Sequence, residues 1–240
     1  MPSFTDVAAC VDQISALLRY SRDQLGSLSA ALRAILCQCD AFDRPLTLTE
    51  LGSLTERIDT VLAGSQRWAS GCGVALEPGL LAEGELYLAW RRLDEQGSTR
   101  VACVELDRTH ERYYDYRHMA WFSRPRATGR STAYGPHVDL YGTDAYVLTL
   151  AAPIEHDQRF VGVAAADLPL DQLEPMLTRS LLRLPVPALV ISSHGRVLAS
   201  NRARWLAGEL AGELINDVRV RTYSLDEELD LRLLCLPHEA

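Results

Sequence analysis

Apolar side chains recur along the start of the chain in alternating steps of three and four residues. The series is Val7, Val11, Ile14, Leu18, Leu25, Leu28, Leu32 and Ile35, with the polar Ser21 as its one interruption. Heptad spacing of this kind is typical of a long amphipathic helix whose apolar stripe packs against another surface. We predict one helix over residues 6–39. Its stripe is long enough to form a dimer interface or to pack on an α/β domain of the same chain.

A second helix is predicted to begin near Thr47 or Thr49 and to end near Gly64. Its apolar positions are Leu51, Leu54, Ile58, Val61 and Leu62. Glycine directly after the last periodic residue is a common helix stop. Residues 1–66 are therefore predicted to form a helical hairpin, and we expect this hairpin to act in dimerisation.

The period changes to that of β-strands from about residue 68. Strands are predicted at residues 71–76, 86–90, 101–106, 146–154 and 159–168. A short polar tip, residues 155–158, joins the last two strands and predicts a hairpin. The aromatic and polar stretch over 108–142 is predicted to be irregular, and a helix is predicted over 171–183.

A proline-rich segment, Pro185-Val186-Pro187, predicts the start of a smaller unit. Strands are expected there at 188–192, 196–200, 218–223 and 229–236, with a short helix at 203–211. Both helical and strand periods occur in separate parts of the chain, which indicates an α+β fold. The expected units are residues 1–66, 67–184 and 185–240.

Charge and cysteine content exclude several classes of protein. The chain carries 24 basic and 32 acidic residues, for a net charge of −8, so it is a poor candidate for binding nucleic acid or an anionic membrane. It contains no apolar run of about 18 residues and does not begin like a secretory signal, which favours a cytoplasmic location. The six cysteines lack the paired spacing of structural zinc sites and indicate reduced thiols.

An ordered series of short motifs runs through the middle of the chain. The aromatic pair Trp121-Phe122 is followed by Ala127 and Gly129, by a Pro-x-x-Asp element ending at Asp139, and by a Gly-Val-x-x-x-Asp strand ending at Asp167. In this order they resemble the ligand-binding module of Cache sensor domains, also called PDC or PAS-like domains. The resemblance covers about residues 70–175, and 185–236 resemble the truncated second module of double Cache proteins.

The resemblance implies a fold and a set of ligand-binding residues. The fold is a PAS-like antiparallel-sheet sensor module over 67–184, followed by a small second PAS-like α/β module. In amino-acid-binding members, aspartates at the positions of Asp139 and Asp167 hold the ligand's ammonium group, and an aromatic pair encloses it. The implied site residues are Tyr114, Arg117, Trp121, Phe122, Tyr134, His137, Asp139 and Asp167. The family's carboxylate-binding arginine is replaced by Met119, for which Arg117 or Arg126 could substitute.

The residue types support the same chemistry independently. A buried ammonium group needs compensating charge, and an aromatic wall adds roughly 0.5–2 kcal/mol of cation–π attraction. Asp167 gives the sharpest signal because it lies in an apolar strand, although it could instead cap the helix that follows. Asp139 has the alternative of a solvated turn residue, and Trp121 that of a core residue.

These inferences predict a non-enzymatic cytoplasmic sensor of a small amine or amino-acid-like metabolite. We expect it to need no cofactor, to form a homodimer and to signal to a separate regulatory protein. One alternative is a co-regulator that associates with proteins and has a vestigial pocket. Another alternative is a metal-dependent enzyme with His118, His137 and Asp139 as ligands. This alternative is weaker because the sequence contains no HExxH, Gly-x-Ser-x-Gly or P-loop motif.

Overall fold

The apolar stripe of the first helix packs within the chain itself. A computed structural model describes residues 4–64, 68–82, 84, 86–139 and 145–237. Helix α1 spans Phe4–Ala41 and α2 spans Gly52–Leu62. Every residue of the predicted stripe is buried except the partly buried Val11. The interrupting Ser21 is also buried, and its hydroxyl donates to the Leu17 carbonyl one turn earlier. The stripe is therefore not available as a dimer surface, and dimerisation stays a prediction.

Six antiparallel strands form the larger sheet, in the order β3-β2-β1-β6-β5-β4. They are β1 (Gly71–Leu76), β2 (Leu88–Leu93), β3 (Thr99–Val101), β4 (Thr132–Val138), β5 (Tyr146–His156) and β6 (Arg159–Pro169). The predicted hairpin is confirmed: β5 and β6 are joined by a turn in which Asp157 and Gln158 have positive φ angles of 48° and 61°.

Side chains alternate between the two faces of this sheet, as the strand period requires. On one face, Cys72, Val74 and Leu76 of β1 join the core that contains α1 and α2. On the other face, Ala75 of β1 and Ala165 of β6 join an aromatic cluster below helix α3 (Ala120–Thr128). The helical hairpin and the aromatic cluster thus lie on opposite sides of one sheet.

Two segments differ from the sequence prediction in the larger module. Of the strand expected at 101–106, only Val101 lies in a strand, because β3 ends at that residue. The stretch 108–142, predicted to be irregular, contains α3 and β4. Pro125 lies within α3, and Gly129 follows it with a φ of 63°. Proline and glycine are typical of turns and of the ends of helices and strands, so the sequence did not indicate these elements.

A four-stranded antiparallel sheet with the order β8-β7-β10-β9 forms the smaller module. Its strands are β7 (Ala188–Ile191), β8 (Val197–Ser200), β9 (Arg221–Asp226) and β10 (Leu231–Cys235), preceded by helix α4 (Leu170–Leu181). The prediction of a helix over 203–211 is wrong. The backbone of this segment bonds to the β7–β8 hairpin instead: the Val197 N–H donates to the Glu209 carbonyl, and the Ala211 N–H donates to the Gly195 carbonyl.

One continuous apolar core joins α1, α2, α4 and residues of both sheets. The α+β fold class is confirmed, with a long N-terminal helix and two antiparallel sheets. The division into three units stays a prediction, because the helical hairpin and both modules contribute to the same core. Within the part of the chain that the structure describes, no helix is both long enough and apolar enough to cross a membrane.

Candidate ligand-binding site

A cavity lies between the larger sheet and the cover formed by α3 and the segment before it. Its empty space is about 420 Å³ when the open mouth is included. The described residues that line it are Leu88, Trp90, Val104, Tyr114, Trp121, His137, Asp139, Thr149 and Asp167. Five of the eight predicted site residues are among them: Tyr114, Trp121, His137, Asp139 and Asp167. Sequence positions 79 apart, from Leu88 to Asp167, thus meet around one space.

Asp167 is the most deeply buried charged group of the cavity. It lies opposite Thr149 on β5 and Gly71 on β1, and the residue is 6 % exposed. The Thr149 hydroxyl donates a hydrogen bond of 2.5 Å to its Oδ1 atom. Burial raises the pKa of Asp167 to about 7, the Thr149 bond opposes this rise, and the Asp139 charge adds to it. At neutral pH this carboxyl group is therefore poised between its neutral and charged forms.

Asp139 and His137 lie at the end of β4, close to Asp167. The Asp139 backbone N–H donates to the Ala145 carbonyl at 2.9 Å. Burial lowers the pKa of His137, although the Asp139 charge opposes that change. Among the described residues, the buried Nδ1 atom of His137 has no hydrogen-bond partner. A neutral imidazole with an unused nitrogen therefore lies at the cavity wall.

Aromatic rings form the remaining wall. The rings of Trp90 and Trp121 have centroids 6.1 Å apart and planes inclined by 48°. The Trp121 indole N–H donates to the Tyr114 hydroxyl at 3.1 Å. Trp90 fits against β1 because Gly73 lies opposite it, and a Cβ atom at Gly73 would lie 2.9 Å from the Trp90 Cα atom. Two tryptophans and a tyrosine therefore enclose the space beside the two carboxylates.

Three predicted site residues lie away from the cavity lining. Phe122 is fully buried in the aromatic cluster, with ring centroids 5.0 Å from Tyr116 and 5.6 Å from Phe160. Adjacent residues of a helix point in directions about 100° apart, so Trp121 and Phe122 do not face the same space. Tyr134 packs its ring 4.7 Å from His137, behind the lining.

Arg117 is the third of these residues. Its Nε atom lies 2.7 Å from the Asp115 Oδ1 atom, and a second contact of 2.5 Å joins its NH2 group to Oδ2. The same pairing lowers the pKa of Asp115 to about 2. Arg126, the other proposed substitute, pairs with Glu77. Both arginines are thus engaged by neighbouring carboxylates.

Four lining residues were not predicted from the sequence: Leu88, Trp90, Val104 and Thr149. Leu88 and Trp90 alternate along β2 and so share the face that the cavity uses. Thr149 is identified only by its register opposite Asp167 across β5 and β6. The strand period could have identified Trp90 once β2 was placed beside β1, but the sequence contains no direct signal for Val104.

The metal site considered for His118, His137 and Asp139 is not formed. His118 is 80 % exposed in its side chain and lies 3.5 Å from Asp115. Within the described residues, the group that meets a metal-ligand spacing is Asp40, His156 and Asp157 at the surface. There, the His156 Nε2 atom already lies 2.6 Å from an Asp40 oxygen.

A family model and several solved structures match this chain. Residues 59–175 match the family of first PDC sensor domains of methyl-accepting chemotaxis protein-like proteins. The fold is similar to the ligand-binding domain of the Pseudomonas aeruginosa amino acid chemoreceptor PctB in complex with L-Gln. That match has a TM-score of 0.60 and 13% identity, over 95% of this chain and 86% of that chain.

Two further structures are similar over nearly their whole lengths. The P. aeruginosa receptor PctC, in complex with GABA, matches with a TM-score of 0.54 and 18% identity, over 94% of this chain and 93% of that chain. The Pseudomonas fluorescens receptor CtaA, in complex with L-valine, matches with a TM-score of 0.55 and 15% identity, over 97% of this chain and 95% of that chain. At these identities the likeness shows the fold, and it extends over both sheets.

Proposed function

We propose that the chain senses a small metabolite bearing an ammonium group, such as an amine or amino-acid-like molecule. The premise is the match of residues 59–175 to the family of first PDC sensor domains. The ligand occupies the cavity, with its cationic group beside Asp167 and Asp139 and its carbon skeleton against Trp90, Trp121 and Tyr114. The observation that carries this proposal is the buried Asp167 carboxyl group at the cavity wall, close enough to Asp139 for the second charge to raise its pKa.

The burial of Asp167 supports a binding role over a structural one. A carboxylate removed from water costs several kcal/mol unless a cation or several hydrogen bonds compensate it. Its side chain bonds to Thr149 on the neighbouring strand, whereas the N-cap of α4 is Pro169, which makes no side-chain cap bond. An ammonium ligand would supply the missing charge, and the two tryptophan faces would add cation–π attraction.

The similar receptors support the ligand class. PctB, PctC and CtaA are described in complex with L-Gln, GABA and L-valine, each of which carries an ammonium group. The proposal assigns a binding role without catalysis to this cavity. The proposal also includes the predicted homodimer. Ligand binding shifts the populations of the chain's conformations, and this shift passes the signal to a separate regulatory protein. The cytoplasmic location stays a prediction.

Binding to purified protein tests the proposal. Thermal-shift screening with amines and amino acids is followed by calorimetric titration of each hit against wild type, Asp167→Asn and Asp139→Asn. A ligand at 100 times its dissociation constant contributes about 2.7 kcal/mol to stability. We expect each substitution to weaken binding at least tenfold, and the exposed Asp23→Asn on α1 to have no effect. If no compound binds, or if Asp167→Asn binds as tightly as wild type, the proposal fails and a protein-association role is favoured.

A further inference from the structure

We infer that the cavity selects ammonium compounds without a carboxylate, and so discriminates against free amino acids. The inference rests on the proposed function and names the ligand class more closely. Its basis is the charge of the lining: Asp139 and Asp167 supply two carboxyl groups, and among the described lining residues the one basic side chain is His137. Since His137 is partly buried and its pKa is lowered by that burial, the lining has an excess of negative charge at neutral pH.

The arginines within α3 and just before it are paired with side chains outside the cavity lining. Arg117 is held by Asp115 through two contacts, and Arg126 pairs with Glu77. The guanidinium group of Arg124 lies 2.6 Å from the His194 ring of the smaller module. The sequence after Asp139, residues 140–144, contains no basic side chain either. A ligand carboxylate therefore has no arginine at the cavity wall to pair with in the part of the chain that the structure describes.

The neutral donors of the lining are also partly committed. The Thr149 hydroxyl donates to Asp167, and the Trp121 indole N–H donates to Tyr114. An α-amino acid carries its carboxylate two bonds from its ammonium group, so the carboxylate must enter the same small space. There it would lose hydration and lie near two acidic side chains, which is unfavourable without compensating charge. A simple amine, a diamine or a quaternary amine avoids this cost.

Matched pairs of compounds test the inference. Each pair shares a cationic group, and only its second member carries a carboxylate: isobutylamine with L-valine, putrescine with L-ornithine, and choline with glycine betaine. L-Valine methyl ester keeps the ammonium group of L-valine and removes the negative charge. In calorimetric titration at pH 7.5, we expect the carboxylate-free member of every pair that binds to bind at least tenfold more tightly, and the methyl ester to bind more tightly than L-valine.

A charge added to the lining provides the complementary test. Val104 lines the cavity and is half-buried, so a longer side chain can be accommodated at the mouth. Val104→Arg is expected to lower the preference for the amine over its amino acid at least tenfold more than the uncharged comparison variant Val104→Gln does.

The possible results separate this inference from the proposed function. Equal or tighter binding of the amino acids would overturn the selectivity and leave the sensor proposal intact. The same holds if Val104→Arg and Val104→Gln alter the preference equally, since charge would then not be its cause. If no member of any pair binds, both the sensor proposal and the selectivity are overturned.

Discussion

Asp167 shows how one buried side chain links the sheet to the proposed function. Its strand is apolar on both faces because one face packs on the core with α1 and α2 and the other packs on the aromatic cluster. An alanine at this position would fit that strand equally well, and three alanines precede it in the sequence. The carboxyl group is thus costly for the fold, and its placement at a cavity wall beside a second acid is what a cation-binding site requires.

The stability of the free protein should depend on pH through Asp167. The group has a pKa near 3.9 in the unfolded chain and about 7 in the folded protein. Between these values the folded state holds a proton that the unfolded state has released. The free energy of unfolding therefore falls as pH rises from about 4 to about 7, and this dependence ends above that range.

Urea unfolding of wild type and Asp167→Asn across pH 4–8 measures this effect. Relative to Asp167→Asn, wild type should lose on the order of a few kcal/mol over that range, since each pKa unit corresponds to about 1.4 kcal/mol. Asp23→Asn should follow wild type. A difference between wild type and Asp167→Asn that stays constant with pH would show that Asp167 does not titrate in this way.

Binding of an amine should show the opposite pH dependence. A protonated amine pairs best with ionised Asp167, so below a pKa of about 7 the carboxyl group must release its proton on binding. We expect the affinity to rise by up to tenfold per pH unit from pH 5.5 to 7 and to level off above that. Calorimetry in two buffers of different ionisation enthalpy should detect the released proton. If the affinity of Asp167→Asn depends on pH as steeply as that of wild type, the effect belongs to another group, with His137 the first candidate.

At the scale of elements, the close approach of β1 and β2 is set by Gly73. A Cβ atom there would clash with the Ala89 carbonyl oxygen and crowd the Trp90 backbone. We expect Gly73→Ala to destabilise the protein by about 1–3 kcal/mol and to weaken ligand binding, because Trp90 must move. Chemical unfolding and calorimetry measure the two effects.

A second glycine provides the control for this prediction. At Gly52, the first residue of α2, an added Cβ atom meets nothing within 4 Å. Gly52→Ala should therefore keep full affinity and leave stability unchanged or slightly raised. Loss of affinity in both variants would mean that the effect at Gly73 is not local to Trp90.

The sequence predicted those elements whose apolar period is long and uninterrupted. The helix α1, the strand β1 and the β5–β6 hairpin lie within a few residues of their predicted positions. In contrast, α3 and β4 contain or adjoin Pro125, Gly129, Gly135 and Pro136, and their local sequence indicates turns although tertiary packing stabilises a helix and a strand.

The site was predictable to the extent that motifs fix positions along the chain. The order of aromatic and Asp motifs located Trp121, Asp139 and Asp167, which do line one cavity. Thr149 and Trp90 depend on strand register and on which face each residue occupies, and no single-sequence pattern gives that pairing. The pairing of Arg117 with Asp115 likewise follows from a local turn, which composition does not reveal.

At the scale of the whole molecule, the two sheets are linked through shared packing and through polar contacts. Arg22 of α1 pairs with Asp226 and Glu228 at the β9–β10 hairpin, at 2.9 and 3.0 Å. The His194 ring of the β7–β8 turn lies 6.3 Å from the Tyr134 ring, which in turn packs on His137 at the cavity. A change at the cavity therefore has a contiguous physical connection to the smaller module.

Hydrogen exchange under native conditions tests whether this connection makes the molecule one cooperative unit. If the shared core unfolds as a whole, binding raises the free energy of opening equally in both sheets, because ligand binds only the folded state. Peptides covering β1 and β6 and peptides covering β7 and β10 should then gain the same protection, about 100-fold at 100 times the dissociation constant. The slowest-exchanging amides, which open by global unfolding, provide this measurement. Protection confined to β1 and β6 would show that the smaller module opens independently. At the same ligand concentration, Asp167→Asn should gain only about tenfold protection or less in both sheets, because its affinity is at least tenfold weaker.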